Sequence, residues 1–270
     1  MPNYDYDDAA KTVAFIKNFT DEQLETAIIS GSGLGDIVDA IEDKKFLDPE
    51  KFPVWPRSTA PGHSGKIITG KIHGQNVIML QGRVHFYEGH SMKAVTFPTR
   101  VIAMLGVKNF IATNASGAIN KNFSAGDVIA VRDHINFMGT NPLIGENDER
   151  WNARFPDMSN AYNREMLKIL ENMGLKTGVY ISFTGPSFET PAEIKMAEIM
   201  GADLAGMSTV PEVIVANSMG LKVAVLSCVA NMAAGINPDA ALTGEEVLDN
   251  MKKISEKLAK IIVDFVGRLD

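Results

Sequence analysis

The chain has 270 residues, 45% of them hydrophobic and 22% charged, a globular balance that excludes intrinsic disorder. With 33 Asp and Glu against 26 Lys and Arg its formal net charge is −7. That excludes capture of nucleic acid or an anionic membrane by bulk charge, so any phosphate must be held by a local site. The single cysteine, Cys228, cannot form an intramolecular disulfide and fits a reducing compartment.

From the N-terminus, Met1-Pro2-Asn3-Tyr4-Asp5-Tyr6-Asp7-Asp8 is acidic and lacks the basic region of a secretory signal. A helix is expected over 7–19 and a strand over 25–30. The strand runs into Ile28-Ile29-Ser30-Gly31-Ser32-Gly33-Leu34-Gly35-Asp36. Glycines let the backbone approach an anion, and successive N–H groups with the Ser32 hydroxyl suit phosphate oxygens. The spacing is neither G-x-G-x-x-G nor a P-loop, and a strand-to-helix turn without a ligand is the other reading. Pro61-Gly62-His63-Ser64-Gly65 is a turn; taken singly, His63 reads as a hydrogen-bonded turn residue.

Strands over 66–72 and 76–81 lead into Gln81-Gly82-Arg83-Val84-His85-Phe86-Tyr87-Glu88-Gly89-His90. If this segment is extended, Arg83, His85 and Tyr87 point to one side. A guanidinium, an imidazole and a phenol in line suit a phosphate plus a hydroxylated ligand; a polar edge facing solvent is the alternative. A helix over 92–105 and a strand over 109–113 follow, after which Thr113-Asn114-Ala115-Ser116-Gly117-Ala118 reads as a βα turn with accessible N–H groups. Next come a strand over 127–132, a helix over 163–173 and a strand over 178–183.

Thr184-Gly185-Pro186-Ser187-Phe188-Glu189-Thr190-Pro191 then presents Phe188 and Glu189 just before a helix over 191–200, opened by Pro191. An aromatic face beside a carboxylate suits a flat heterocycle with N–H donors. The competing reading gives Glu189 to the helix N-terminus. A strand over 203–206, a helix over 210–219 and a strand over 222–230 complete the pattern. Met207-Ser208-Thr209-Val210-Pro211-Glu212 and Ala230-Asn231-Met232 each follow a buried strand. Asn231 is either a satisfied turn amide or a base-reading donor and acceptor. The last helix, over 243–269, sets Val247, Leu248, Met251, Ile254, Leu258, Ile261, Ile262, Phe265 and Leu269 on one stripe.

This alternation, with no repeat and no linker, predicts an α/β fold: a single domain over 1–270 with a mixed, largely buried β-sheet flanked by helices. No run approaches the roughly 18 apolar residues of a membrane span. The expectation is a cytoplasmic protein with neither membrane nor nucleic acid as partner. Phosphate-type, sugar-type and heterocycle-type groups fall at strand ends, where open α/β sheets bind ligands.

Several of these segments, joined by Arg132-Asp133-His134-Ile135-Asn136 and continuing through Val213, stand in the order and spacing of the trimeric purine nucleoside phosphorylases, which the chain resembles from about Ile28 to Val247. The resemblance implies the nucleoside phosphorylase fold and phosphorolysis of purine nucleosides to base and ribose 1-phosphate. Phosphate would be held by Ser32, Arg83, His85, Ser208 and the Ala115 N–H, with His63 beside it. Ribose would meet Tyr87 and Met207, and the base Phe188, Glu189 and Asn231. Asn231, Glu189 and His85 would carry the catalysis, with no metal and no cofactor because phosphate is itself a co-substrate. Phe155 matches a residue that reaches into the neighbouring subunit's site of a homotrimer. A carboxylate at Glu189 would accept the ring N–H of guanine or hypoxanthine, which implies a preference for 6-oxopurines.

Two positions depart from the family. Gly244 stands where many relatives carry a histidine that contacts the ribose 5′-hydroxyl, and Ala230 replaces a threonine often seen before the asparagine. A 5′-methylthioadenosine phosphorylase of the same fold is the alternative that Gly244 suggests; Glu189 and Asn231 argue against it. A nucleoside hydrolase would need a calcium-binding aspartate cluster, and the dense aspartates, Asp5, Asp7 and Asp8, precede any strand. A purine-binding sensor would keep the pocket without turnover.

Overall fold

The computed structural model describes residues 2–20, 22–31, 36–60, 65–151, 153–237 and 242–269. Its strands are β1 (Thr26–Ser30), β2 (Glu42–Leu47), β3 (Lys66–Ile72), β4 (Gln75–Gln81), β5 (Asn109–Ala118), β6 (Val128–Asn136), β7 (Lys176–Ser182), β8 (Leu204–Gly206) and β9 (Lys222–Met232). They form one mixed sheet in the order β2-β3-β4-β1-β5-β8-β7-β6-β9, and β9 also pairs with β5. The run from β5 to β9 therefore closes into a ring, and β1, β4, β3 and β2 extend from it as an arm.

The helices are α1 (Tyr6–Lys17), α2 (Asp36–Asp39), α3 (Met92–Met104), α4 (Arg164–Asn172), α5 (Pro191–Ile199), α6 (Val210–Ser218) and α7 (Gly244–Val266). Strand alternation sorts the core into two sides. Ala27 and Ile29 of β1 and Val223, Val225 and Val229 of β9 pack with Ile16 of α1, Phe97 of α3 and Val213 of α6. Ile28 and then Ala224, Leu226, Cys228 and Ala230 face the other way, against Met166 of α4 and Met251, Leu258 and Phe265 of α7. Both sides of β1 and β9 are thus covered, which is why their sequences read as near-continuous apolar runs. Cys228 is wholly inside, and burial pushes its thiol up to about 12.

Most expected elements are present with ends shifted by up to three residues, β6 runs four residues beyond its expected end to Asn136, and three further differences stand out. The segment read as a turn over 113–118 is strand, because β5 runs on to Ala118. Its polar side chains find partners inside: Ser227 Oγ donates to Asn114 Oδ1 at 2.7 Å and bonds Ser116 Oγ at 2.8 Å. Strand β9 likewise continues past 230 to Met232, so Asn231 lies in a strand. Strand β2 and the short α2 lie outside the expected elements. Five of the six β2 residues are exposed, so no alternation marks that strand.

Candidate active site

A cleft of about 450 Å³ opens beside the ends of β1, β5 and β9, and its wall includes Arg83, His85, Tyr87, Ala115, Phe188, Glu189, Met207, Ser208 and Asn231. Positions as far apart in sequence as Arg83 and Asn231 therefore share one wall. Ser32 and His63 lie outside the described residues. Phe155 is 88% exposed and is not among the cleft residues of its own chain. Asp5, Asp7 and Asp8 have other work: Asp5 caps α1 by accepting from the Asp8 N–H at 2.9 Å, Asp8 accepts from the N–H groups of Asn3 and Tyr4, and Asp7 pairs with Arg150.

One end of the cleft is built for an anion. Arg83, just past β4, is almost fully buried, and its Nε donates to both Glu212 oxygens at 3.0 and 3.2 Å. Its Nη1 lies 3.6 Å from where a Cβ on Gly31 would sit, so the guanidinium is turned toward the start of the glycine-rich segment. The expected extended run does not persist beyond it, because Phe86–Glu88 is a single 3₁₀ turn capped at His85. Arg83 and His85 still share the cleft. Tyr87 gains its place by stacking on the His85 ring, with centroids 4.6 Å apart and planes 11° from parallel.

Glu88 organises this turn. Its carboxylate accepts from the His85 N–H at 2.7 Å, meets His85 Nδ1 at 2.9 Å, and accepts the Ser58 and Thr59 hydroxyls and the Thr59 N–H. Burial works against its ionisation, but the bonds from Thr59 and His85 outweigh it and hold the carboxyl down at about 2. Burial and the nearby Arg83 cation lower His85 to about 4. At pH 7 the pair is therefore a carboxylate and a neutral imidazole. The proton sits on Nδ1, toward Glu88, and Nε2 keeps the acceptor character.

Ser208 is fixed by its neighbour. Thr209 has φ +68° and ψ −45°, the strained γ-turn conformation closed by the Val210 N–H donating to the Ser208 carbonyl at 2.7 Å, which costs a β-branched residue of order 1–3 kcal/mol. Asn114 Nδ2 donates to Thr209 Oγ1 at 3.0 Å, Ser208 Oγ lies 3.1 Å from the same oxygen, and Ser182 Oγ donates to the Ser208 carbonyl at 3.1 Å. The buried Asn114–Ser116–Ser227 network thus holds the strained turn that delivers Ser208. Only glycine fits at Gly206 just before it, because a Cβ there would collide with the Tyr180 hydroxyl.

The other end is suited to a heterocycle. The reading that gave Glu189 to the α5 N-terminus does not hold: Thr190 and Glu193 form that capping box between themselves. Glu189 is left to the cleft, where Oε1 is buried with no hydrogen-bond partner among the described residues. Burial raises its pKa, and Glu193 adds to the shift. Asn231 Nδ2 is buried and unpartnered in the same sense. A register shift between Ser116 and Gly117 sets Gly117 opposite Asn231, and a Cβ at Gly117 would come within 3.1 Å of Asn231 Oδ1. Phe188 is 39% exposed and offers its ring beside them. Leu242, Gly244 and Val247 complete the wall.

Glu88, Glu212, Thr209 and the Asn114 network carry no role in the sequence reading. Buried polar residues inside apolar strands, such as Ser227, are the signal that could have found the network, whereas Glu212 is paired with a residue 129 positions away. Among the described residues no group of three or more His, Cys, Asp or Glu side chains is placed to hold a metal ion.

The model of the phosphorylase superfamily matches residues 25–267. Purine nucleoside phosphorylase 1 of Bacillus subtilis (strain 168) is 47% identical over 266 residues, covering 96% of this chain and 98% of that one. The bovine (Bos taurus) purine nucleoside phosphorylase is 41% identical, covering 96% and 94%. The schistosoma purine nucleoside phosphorylase solved in complex with hypoxanthine superposes with a TM-score of 0.94 at 35% identity, covering 100% of both chains. The Schistosoma mansoni enzyme in complex with inosine gives a TM-score of 0.93 at 35% identity, covering 100% of this chain and 99% of that one. Sequence likeness and fold agree over nearly the whole length, and the chain belongs to the purine nucleoside phosphorylases of the phosphorylase superfamily.

Proposed function

We propose that the protein catalyses the reversible phosphorolysis of purine ribo- and deoxyribonucleosides, with inosine and guanosine preferred. The observation that carries this reading is the pair of unpartnered buried atoms, Glu189 Oε1 and Asn231 Nδ2, on the same cleft wall as Arg83, His85 and Ser208. A buried acceptor and a buried donor without partners cost stability unless a ligand completes them. A 6-oxopurine does so, its ring N–H donating to Glu189 and N7 accepting from Asn231. Adenine lacks that N–H.

Phosphate attacks C1′ of the sugar as the C1′–N9 bond breaks, and the bonding electrons leave with the purine. The sugar passes through a cationic state that phosphate stabilises from below. Arg83 and the Ser208 hydroxyl hold the phosphate oxygens with the Ala115 N–H, and His85 Nε2 accepts from a protonated phosphate oxygen. Tyr87 and Met207 enclose the ribose. Phosphate is the nucleophile, so the reaction asks for no protein nucleophile, and no cofactor is assigned.

Ser32 and His63 belong to the phosphate end in this reading, and Phe155 to a homotrimer in which its exposed ring covers a neighbour's ribose. Light scattering tests the trimer. A role in purine salvage in the cytoplasm accords with the lone buried thiol. No helix among the described residues is long and apolar enough to cross a membrane.

The deciding experiment is cleavage of inosine, guanosine and adenosine with and without phosphate. Base release that needs phosphate and yields ribose 1-phosphate is expected; equal rates without phosphate would point to hydrolysis, and binding without release to a sensor. Gly244 adds a prediction. No side chain at that position reaches for the 5′-hydroxyl, and a site that makes no such bond rejects the analogue lacking it weakly, so 5′-deoxyinosine should keep its kcat/KM within about tenfold of inosine. A far larger drop would mean that another group binds the 5′-hydroxyl. Better turnover of 5′-methylthioadenosine than of inosine would favour the alternative activity.

A further inference from the structure

Glu212 is not part of the cleft wall, yet it is among the most thoroughly buried charged groups of the molecule, its side chain 4% exposed like that of Arg83. Removing a carboxylate so fully from water is unfavourable unless it serves a cation. It is the third residue of α6. A glutamate there ordinarily reaches back to its own N-cap, as Glu193 does for Thr190. Glu212 instead turns both oxygens to Arg83 Nε.

A guanidinium is a rigid plane, so a carboxylate that grips the Nε edge also sets where the two terminal nitrogens point. Here Nη1 points toward Gly31. Ser208 lies four residues before Glu212, across the strained Thr209 turn. One short segment therefore sets two things: the Ser208 hydroxyl directly, and the Arg83 fork through Glu212.

We propose that Glu212 is a positioning residue, which orients the Arg83 guanidinium for phosphate and fixes it relative to Ser208 through the start of α6. The inference rests on the reading of Arg83 as a phosphate ligand. It assigns Glu212 a part in phosphate recognition without contact to phosphate, and none in recognition of the nucleoside.

Two variants separate geometry from charge. Glu212→Asp keeps the charge but withdraws the carboxylate by one methylene. Glu212→Gln keeps the length and one acceptor for Nε but loses the charge. Steady-state kinetics with phosphate and inosine varied separately should show the phosphate KM raised roughly tenfold or more by Glu212→Asp and less by Glu212→Gln, with the inosine KM within about twofold in both. A larger effect of Glu212→Gln than of Glu212→Asp would overturn the proposal in favour of simple charge balance. So would an inosine KM that rises in parallel with the phosphate KM.

Arg83→Met tests the premise separately. If it leaves the phosphate KM unmoved, the phosphate reading of Arg83 fails; if it raises that KM while neither Glu212 variant does, only the present inference fails. In the Arg83→Met background, Glu212→Gln should add nothing further to the phosphate KM, because Glu212 acts through Arg83. That double variant has lost both charges, so it leaves no unpaired ion buried and the comparison stands even where a single Glu212 variant does not fold. A further rise in the double variant would overturn the proposal.

Discussion

Replacing Asn231 with alanine should lower kcat by roughly 10²–10³-fold, the range seen when one aimed donor is removed from a developing anion, while the KM for inosine moves by a few-fold at most. The reason lies in timing. In the bound nucleoside N7 is a weak acceptor, and the electrons of the C1′–N9 bond have not yet reached the ring. As that bond stretches, charge accumulates on the purine and the bond from Asn231 Nδ2 strengthens. An interaction that grows toward the transition state acts on kcat. The donor is held ready, buried and without a protein partner among the described residues, so little reorganisation is needed when charge appears. Because Asn231 is 7% exposed and sits in β9 opposite Gly117, the fold of the variant should be checked by its melting transition. An effect confined to KM, with kcat preserved, would remove Asn231 from the chemistry.

The second large effect is expected at Glu189. Glu189→Ala should reduce kcat/KM for inosine by at least about 10²-fold, since a site built to pair a substrate N–H loses heavily when its partner is removed. Adenosine, which offers no such N–H, should lose much less, so the preference for 6-oxopurines should shrink. The pH dependence has a definite sign. Burial raises the Glu189 pKa, so the carboxylate that accepts the N–H is lost by protonation at a higher pH than for an ordinary glutamate. The acid limb of kcat/KM for inosine should therefore lie above the usual carboxylate range, and Glu189→Gln should abolish it. His85 does not confuse this limb, because its imidazole protonates only near pH 4. Equal losses for inosine and adenosine in Glu189→Ala would show that Glu189 supports the fold of the cleft instead of reading the base.

How much of this was legible in the sequence follows from how local each signal is. The apolar runs of β1 and β9 and the stripe of α7 are periodic over neighbouring residues, so their existence could be read directly. The 113–118 segment was misread because Asn114, Ser116 and Gly117 have turn-like composition; only the partner strand, with Ser227 across from Asn114, makes them strand residues. The Arg83–His85–Tyr87 grouping was legible as a set but not as a geometry, since the 3₁₀ turn depends on Glu88 bonding back to His85 and across to Thr59. The two readings of Glu189 were separable in principle, because Thr190-Pro191-Ala192-Glu193 carries the Thr-x-x-Glu spacing of a capping box, and Glu193 does occupy the cap. Glu212 was the least legible of all, as its role depends on a single tertiary ion pair.

The closure of β9 onto β5 has a further consequence, for life in a crowded solution. An open sheet ends in two rows of unpaired backbone groups, each a template for another chain. Here one end is sealed by the ring, and among the described strands the exposed edge falls to β2. That strand carries Glu42, Asp43, Lys44 and Lys45 in succession, with a shift of register against β3 between Glu42 and Lys45. Charges of both signs and an irregular ladder make a poor surface for edge-to-edge growth, even with Phe46 exposed beside them. The segment with least apparent purpose in the sequence is the one that keeps so large a sheet from recruiting its neighbours.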